Sequence, residues 1–248
     1  FNCLGKNDLI IGISQSGETK DLVDIFQDVK KANNSVRLVS IVNNENSRIP
    51  QELSDFYLPL LCGPEIAVAA TKSFTSQIAV LYLLAASFSM PEHRIRENLL
   101  KAKDLMTETI ETRMGDIESV AAHLFAASSI HILGTGLIGL AKEGALKIRE
   151  VVLNHTEGYD AAEFKHGPNT ILGRNTVLSL ADLEKLVGTE PLNTINNDLF
   201  EKLSHNYPLI FICPPEERDR RITISQIHTH KIRGADIVLI AEPSQELA

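Results

Sequence analysis

The sequence predicts an α/β protein built on parallel, doubly wound sheets. Two observations carry that expectation. Short apolar, β-branched runs alternate with segments whose apolar residues recur at spacings of three and four, and such alternation produces parallel sheets covered by helices. The same plan, a strand running through a glycine-containing turn into a helix, also occurs twice, at Leu9–Lys31 and at Ser129–Val152. The repetition predicts two related subdomains, each with helices on both faces of its sheet in three αβα layers. The boundary falls at the end of the polar stretch Pro91–Met114, giving residues 1–114 and 115–248.

The first subdomain opens on Leu9–Ser14 (LIIGIS), whose apolar run suits a strand buried on both faces. Leu22, Val23, Ile25, Phe26 and Val29 then mark a helix over Lys20–Lys31. Val36–Val42 (VRLVSIV) reads as a second buried strand, Asn43–Ser47 as a loop, and Phe56–Leu60 as a short third strand. Gly63-Pro64-Glu65 introduces a long helix from Ala67 to about Phe88, rich in Ala, Ser and Thr. Those small residues predict burial at a domain or subunit interface. Lys72 interrupts it, reaching either to the surface by its aliphatic stem or toward an anion. Pro91–Met114 reads as an exposed connecting helix with Leu99, Leu100, Leu105 and Met106 on one stripe, and Ala121–Ala127 as a further helical piece.

In the second subdomain Ser129–Gly134 (SIHILG) reads as a strand, the Gly134-Thr135-Gly136 turn follows, and a helix runs from about Leu140 to Val152. Val177–Leu180, Leu209–Ile212 and Ile237–Ala241 read as further strands, and Asp182–Leu203 as one or two short helices. Glu216–Arg221 reads as a solvated charged run. His228 and His230, two apart, cannot share a helix face, so they read as surface or capping residues and not as a metal pair.

Composition narrows the function classes. The 248 residues are 44% apolar and 23% charged, with a net charge of −8. No dense basic block is present, which argues against nucleic acid as a partner. No 18-residue apolar run marks a membrane span. Three cysteines, Cys3, Cys62 and Cys213, lack metal-ligand spacing and point to a reducing, cytoplasmic setting. The start at Phe1, just before a strand, gives the expectation of a fragment.

Two stretches carry chemistry. The first is Ser14-Gln15-Ser16-Gly17-Glu18-Thr19, between strand and helix. Backbone N–H groups, the positive end of a helix dipole and three hydroxyls meet there, which makes an anion site. A hydroxyl capping the helix is an equally good account of the same residues. No P-loop and no dinucleotide fingerprint follows the strand, so the phosphate of a small sugar fits better than a nucleotide. The second stretch is Glu143–Pro168, EGALKIREVVLNHTEGYDAAEFKHGP. Glu143, Lys147 and Glu150 share one helix face in an order that favours an i, i+4 ion pair, and a stabilising solvated face explains them. Ala145, Leu146, Ile148, Val151 and Val152 would then be the buried face. His155, Glu157, Tyr159, Glu163, Lys165 and His166 follow closely, and a carboxylate brought to an imidazole could serve acid–base work on a sugar carbonyl.

ISQSGET resembles the phosphosugar loop of the sugar isomerase (SIS) domain family. Together with GPEIAVAATKSFTSQ, EGALKIRE and HTEGYDAAEFKHGP, in that order, it resembles the isomerase half of the glutamine:fructose-6-phosphate aminotransferase (glucosamine-6-phosphate synthase) family. The likeness covers roughly Leu9–Phe88 and Ile130–Pro168 and is loose after Thr170. It implies two flavodoxin-like SIS subdomains, with conversion of fructose 6-phosphate and ammonia-derived nitrogen to glucosamine 6-phosphate. Ser14, Gln15, Ser16 and Thr19 would bind the phosphate, and Val68 would line the sugar chain. Glu150 would shuttle a proton between C1 and C2, Lys147 would assist at the reacting oxygen, and His166 would open the sugar ring from a neighbouring subunit. That implies a homodimer with a sugar-phosphate ligand and no metal or cofactor. The family's glutaminase half, its upstream strand with a C-G-T-S motif and its lysine-bearing tail are not matched here. Ala70 stands where a serine is usual, and Gly173–Leu203 departs from the pattern. A fructosamine-6-phosphate deglycase on the same plan and a non-catalytic phosphosugar sensor are the alternatives. The combination of Glu150, Lys147 and His166 weighs against the sensor.

Overall fold

Among the described residues seven strands form two separate parallel sheets, most of them from the β-branched and apolar runs. The computed structural model describes residues 4–5, 7–32, 35–125, 127–173, 184–185, 188–189 and 206–243. Two compact units result, Phe1–Thr112 and Arg113–Ala248.

In the first unit β1 (Leu9–Ser14), β2 (Arg37–Val42) and β3 (Phe56–Pro59) pair in chain order, with Ile11 beside Val39 and Val39 beside Phe56. The helix α1 (Lys20–Ala32) crosses back over one face. Its Val23, Phe26 and Val29 pack with Leu38, Ile49 and Leu53 into a core. Gly12 of β1 makes room for this helix, since a Cβ there would meet the Phe26 ring at 2.6 Å. A short π-helical turn over Ile49–Leu53 leads into β3. The expectation of a strand buried on both sides fails at β1. Ile10 lies against the core, whereas Leu9, Ile11 and Ile13 point to the other face and are 55, 37 and 41% exposed.

The long helix α2 starts at Lys72, five residues later than expected, and ends at Ser87. The reason is Glu65, whose carboxylate accepts hydrogen bonds from the Thr71 and Ser73 amides and holds residues 65–71 as a loop. Only Ser73 and Ala86 of α2 are buried, so the chain alone does not bury this helix as its composition predicted. Lys72 donates to the Pro64 carbonyl and is exposed. α3 (Glu92–Thr112) packs on α2, tied by the Asn98–Tyr82 side-chain bond of 2.7 Å.

In the second unit α4 (Met114–Leu124) precedes a sheet of order β5-β4-β6-β7, where β4 is Ser129–Gly134, β5 His155–Tyr159, β6 Pro208–Ile212 and β7 Asp236–Ile240. β4 alternates between faces. Ile130 and Ile132, with Ile210, meet Ala141 and Ala145 of α5 (Ile138–Val152). On the other face Leu133, Leu209 and Phe211 pack with Ala161 and Phe164 of the short α6 (Ala161–Phe164). The buried positions of α5 are thus small residues, and Val151 and Val152 are 68 and 65% exposed, which corrects the face expected for this helix. Small side chains let the helix lie close on the sheet.

β5 is a finding the sequence did not announce, because His155-Thr156-Glu157-Gly158-Tyr159 has no apolar run. It pairs parallel to β4, Ser129 beside His155 through Leu133 beside Tyr159. Its Gly158 is pressed to α5, where a Cβ would lie 2.5 Å from the Lys142 backbone nitrogen. The charged segment after Pro215 starts a helix, α7 (Glu217–Ile232), capped by Glu216 through a hydrogen bond from the Asp219 amide. On α7, His228 is exposed, but His230 is fully buried against the Phe164 and Phe211 rings, so the surface reading fails for His230. The strand expected at Val177–Leu180 lies outside the described residues, as do nearly all of the helices expected over Asp182–Leu203.

Candidate functional site

The loop after β1 is closed by its own side chains. The Ser14 hydroxyl, 4% exposed, lies 2.7 Å from Thr19 Oγ1 and accepts the Gly17 amide at 2.9 Å. The exposed Ser16 hydroxyl accepts the Glu18 amide at 3.2 Å. Neither the Ser16 nor the Thr19 amide has an acceptor among the described residues. Gly17 adopts φ +68°, which glycine tolerates without strain. A Cβ there would also overlap Ser47 Oγ. The Asn43–Ile49 segment braces this loop. The Asn43 and Asn44 amides donate to the Gln15 carbonyl, the Ile49 amide to the Gly17 carbonyl, and the Arg48 amide to the Glu18 carboxylate.

The result is a rigid turn at the carboxyl end of a parallel strand and the start of a helix, where such sheets bind ligands. Ser14, Gln15, Ser16 and Thr19 are all in it. Val68 lies in the same unit, on the loop held by Glu65, and is 94% exposed. The Ser73 amide, more than any other neighbour, holds the Glu65 carboxyl below its usual range.

In the second unit α5 presents Lys147 between two carboxylates, 2.7 Å from Glu150 and 3.4 Å from Glu143. The three side chains are 20–26% exposed, so this is not the freely solvated face that a surface ion pair would occupy. Burial opposes the Lys147 charge, but the hydrogen bond to Glu150 and the charge of Glu143 outweigh it and raise its pKa. A cation fixed this way orients Glu150. His166 follows α6 on an exposed turn, its amide bonded to the Glu163 carbonyl. Its ring makes no hydrogen bond or ion pair with a described residue. A cavity of about 570 Å³ in this unit runs along another side of α5, between Lys142 and Arg149 and the Glu157–Asp160 segment. Lys147, Glu150 and His166 are not among its lining residues.

Sequence reasoning passed over Asn43, Glu65 and Ser47. Asn43 could have been found, since a polar residue just past the carboxyl end of a central strand is where such sheets build sites. Glu65 could not, because its role depends on a loop the helical pattern had absorbed.

Known proteins resemble this chain in sequence and in fold. Residues 2–87 match the SIS domain family model. The glutamine–fructose-6-phosphate aminotransferase (isomerizing) of Aquifex aeolicus is 42% identical over 173 residues, covering 68% of this chain and 28% of that protein. The protein of the same name from Caulobacter vibrioides is 32% identical over 249 residues, covering 96% of this chain and 38% of that protein. Among solved structures, the C-terminal domain of glucosamine-fructose-6-phosphate aminotransferase from Francisella tularensis matches with a TM-score of 0.70 at 25% identity, over 93% of this chain and 58% of that one. The chain therefore carries a SIS domain, at residues 2–87, on a parallel α/β architecture. More narrowly, it is homologous to the isomerase domain of the glutamine–fructose-6-phosphate aminotransferases, and it spans 28% to 38% of the length of the two curated relatives above.

Proposed function

We propose that this chain is the phosphosugar isomerase portion of an aminotransferase that makes glucosamine 6-phosphate from fructose 6-phosphate and ammonia-derived nitrogen, a step of hexosamine synthesis. The observation that carries the reading is the braced Ser14–Thr19 turn, with its hydroxyls, its uncommitted amides and the start of α1 behind it. Ser14, Gln15, Ser16 and Thr19 receive the phosphate there, by exchanging hydrogen bonds within the loop for bonds to the ligand. Val68 contacts the sugar chain. The phosphate is remote from the reacting carbons, so its binding serves to position them.

The ketose-to-aldose shift needs one base that removes a proton from C1 and returns it at C2. Glu150 is suited to this, held by Lys147 so that its carboxylate stays oriented and a cation stands beside the oxygen that gains charge. His166 opens the sugar ring, acting in the site of a neighbouring subunit of a homodimer. The setting is cytoplasmic, and among the described residues no helix is long and apolar enough to cross a membrane.

Calorimetric titration with glucosamine 6-phosphate tests the assignment. Ser16→Ala should weaken binding about tenfold, close to the loss of one hydrogen bond to a charged group. Glu150→Gln should bind nearly as well as wild type but lose isomerisation. Silence of the wild-type chain toward both glucosamine 6-phosphate and fructose 6-phosphate would sink the phosphosugar reading.

A further inference from the structure

Asn43 stands one residue past the end of β2, the middle strand of its sheet. Its polar groups reach two different loops. The backbone N–H donates to the Gln15 carbonyl at 3.2 Å. The side-chain Nδ2 donates to the Gly63 carbonyl at 2.7 Å, and Oδ1 accepts from Cys62 Sγ at 3.1 Å. Cys62 and Gly63 begin the loop that carries Val68, and Glu65 fastens the far end of that loop to the start of α2.

We propose that Asn43 is a positioning residue that fixes the Val68 loop relative to the Ser14–Thr19 loop, so that a hexose phosphate meets both at once. The proposal rests on the reading of those two loops as the phosphosugar site. The chemistry of the residue explains the choice. A primary amide donates and accepts at the same time, so one side chain holds both Cys62 and Gly63. An aspartate could still accept from Cys62, but it would face the Gly63 carbonyl with a second acceptor. Holding the two loops in register beforehand lowers the ordering cost of binding.

The two loops make different demands on the ligand. Inorganic phosphate needs only the Ser14–Thr19 turn, and residue 43 reaches that turn through its backbone, which survives any side-chain change. A hexose phosphate needs both loops.

The experiment is a titration of the 248-residue chain with glucosamine 6-phosphate, with inorganic phosphate measured as a competitor. Asn43→Ala should weaken hexose-phosphate binding about tenfold or more while changing phosphate affinity less than about threefold. Asn43→Asp should behave like Asn43→Ala, and Cys62→Ala like wild type, because the bond to Gly63 remains. A general loss of fold would lower both affinities together, and equal losses would therefore overturn the proposal. Full hexose-phosphate affinity in Asn43→Ala or Asn43→Asp would overturn it as well. If the wild-type chain bound no hexose phosphate, the phosphosugar reading itself would fall, whatever the Asn43 variants did.

Discussion

His131 and His230 are both buried in the second unit, at 6% and 0% exposure. His131 Nδ1 lies 2.7 Å from the Tyr207 hydroxyl, which also lies 2.6 Å from the Ser129 hydroxyl. Neither ring nitrogen of His230 has a partner among the described residues. Burial pushes both imidazoles below their ordinary value. The Glu157 charge opposes the shift at His131 and the nearby His155 adds to it, while Arg233 adds to it at His230. Above about pH 6.5 both rings are neutral in the folded and unfolded chain alike. As pH falls through that value the unfolded chain takes up protons that the folded chain refuses, so stability drops until the lowered folded values are reached. The melting temperature should therefore fall from about pH 7.5 to about pH 5, and His230→Leu should fall less steeply over the same range. An identical slope in the two proteins would remove His230 from that account. The sequence showed His228 and His230 only as two histidines two residues apart. That His230 is buried and His228 exposed depended on how α7 is turned against the sheet.

At the scale of elements, β5 and α5 define what the second unit can present. β5 has little apolar character, and its place at the sheet edge is fixed by pairing to β4 and by the absence of a side chain at Gly158. Gly158→Ala would set a methyl group against the Ala141–Lys142 backbone, which cannot rotate aside as a side chain could. The variant should lose about 1–3 kcal/mol of stability to overpacking, measured by urea denaturation. It should also disturb the α5 face that carries Lys147 and Glu150. A variant as stable as wild type would show that the strand can withdraw from the helix. Strands with clear apolar runs were legible, and β1, β2, β4 and β6 lie within a residue or so of their expected bounds. β5 was not, because a strand defined by pairing leaves only a weak mark in its own residues.

At the scale of the molecule, the chain leaves much apolar surface uncovered. Leu9, Ile11, Ile13 and Phe56 share the open face of the first sheet, and Ile78, Leu83 and Phe88 are exposed on and after α2. The proposed homodimer predicts that the chain sediments as a dimer at micromolar concentration, and that His166→Ala remains a dimer while losing ring opening. A monomer at every concentration would remove the neighbouring-subunit role of His166.

The alternation of apolar runs and helical spacings determined the α/β class and the parallel sheets, because strand and helix periodicities are local properties of the chain. The strand–turn–helix plan at Ser14–Thr19 likewise placed the candidate anion site. Tertiary structure decided what surrounds those residues: the bracing of the loop by Asn43 and Ser47, the capping of α2 by Glu65, the burial of His230 and the clamping of Lys147 between Glu143 and Glu150. Each of these depends on which side of an element faces a neighbour and how closely backbones approach. Packing sets those quantities, and they leave no period in the sequence.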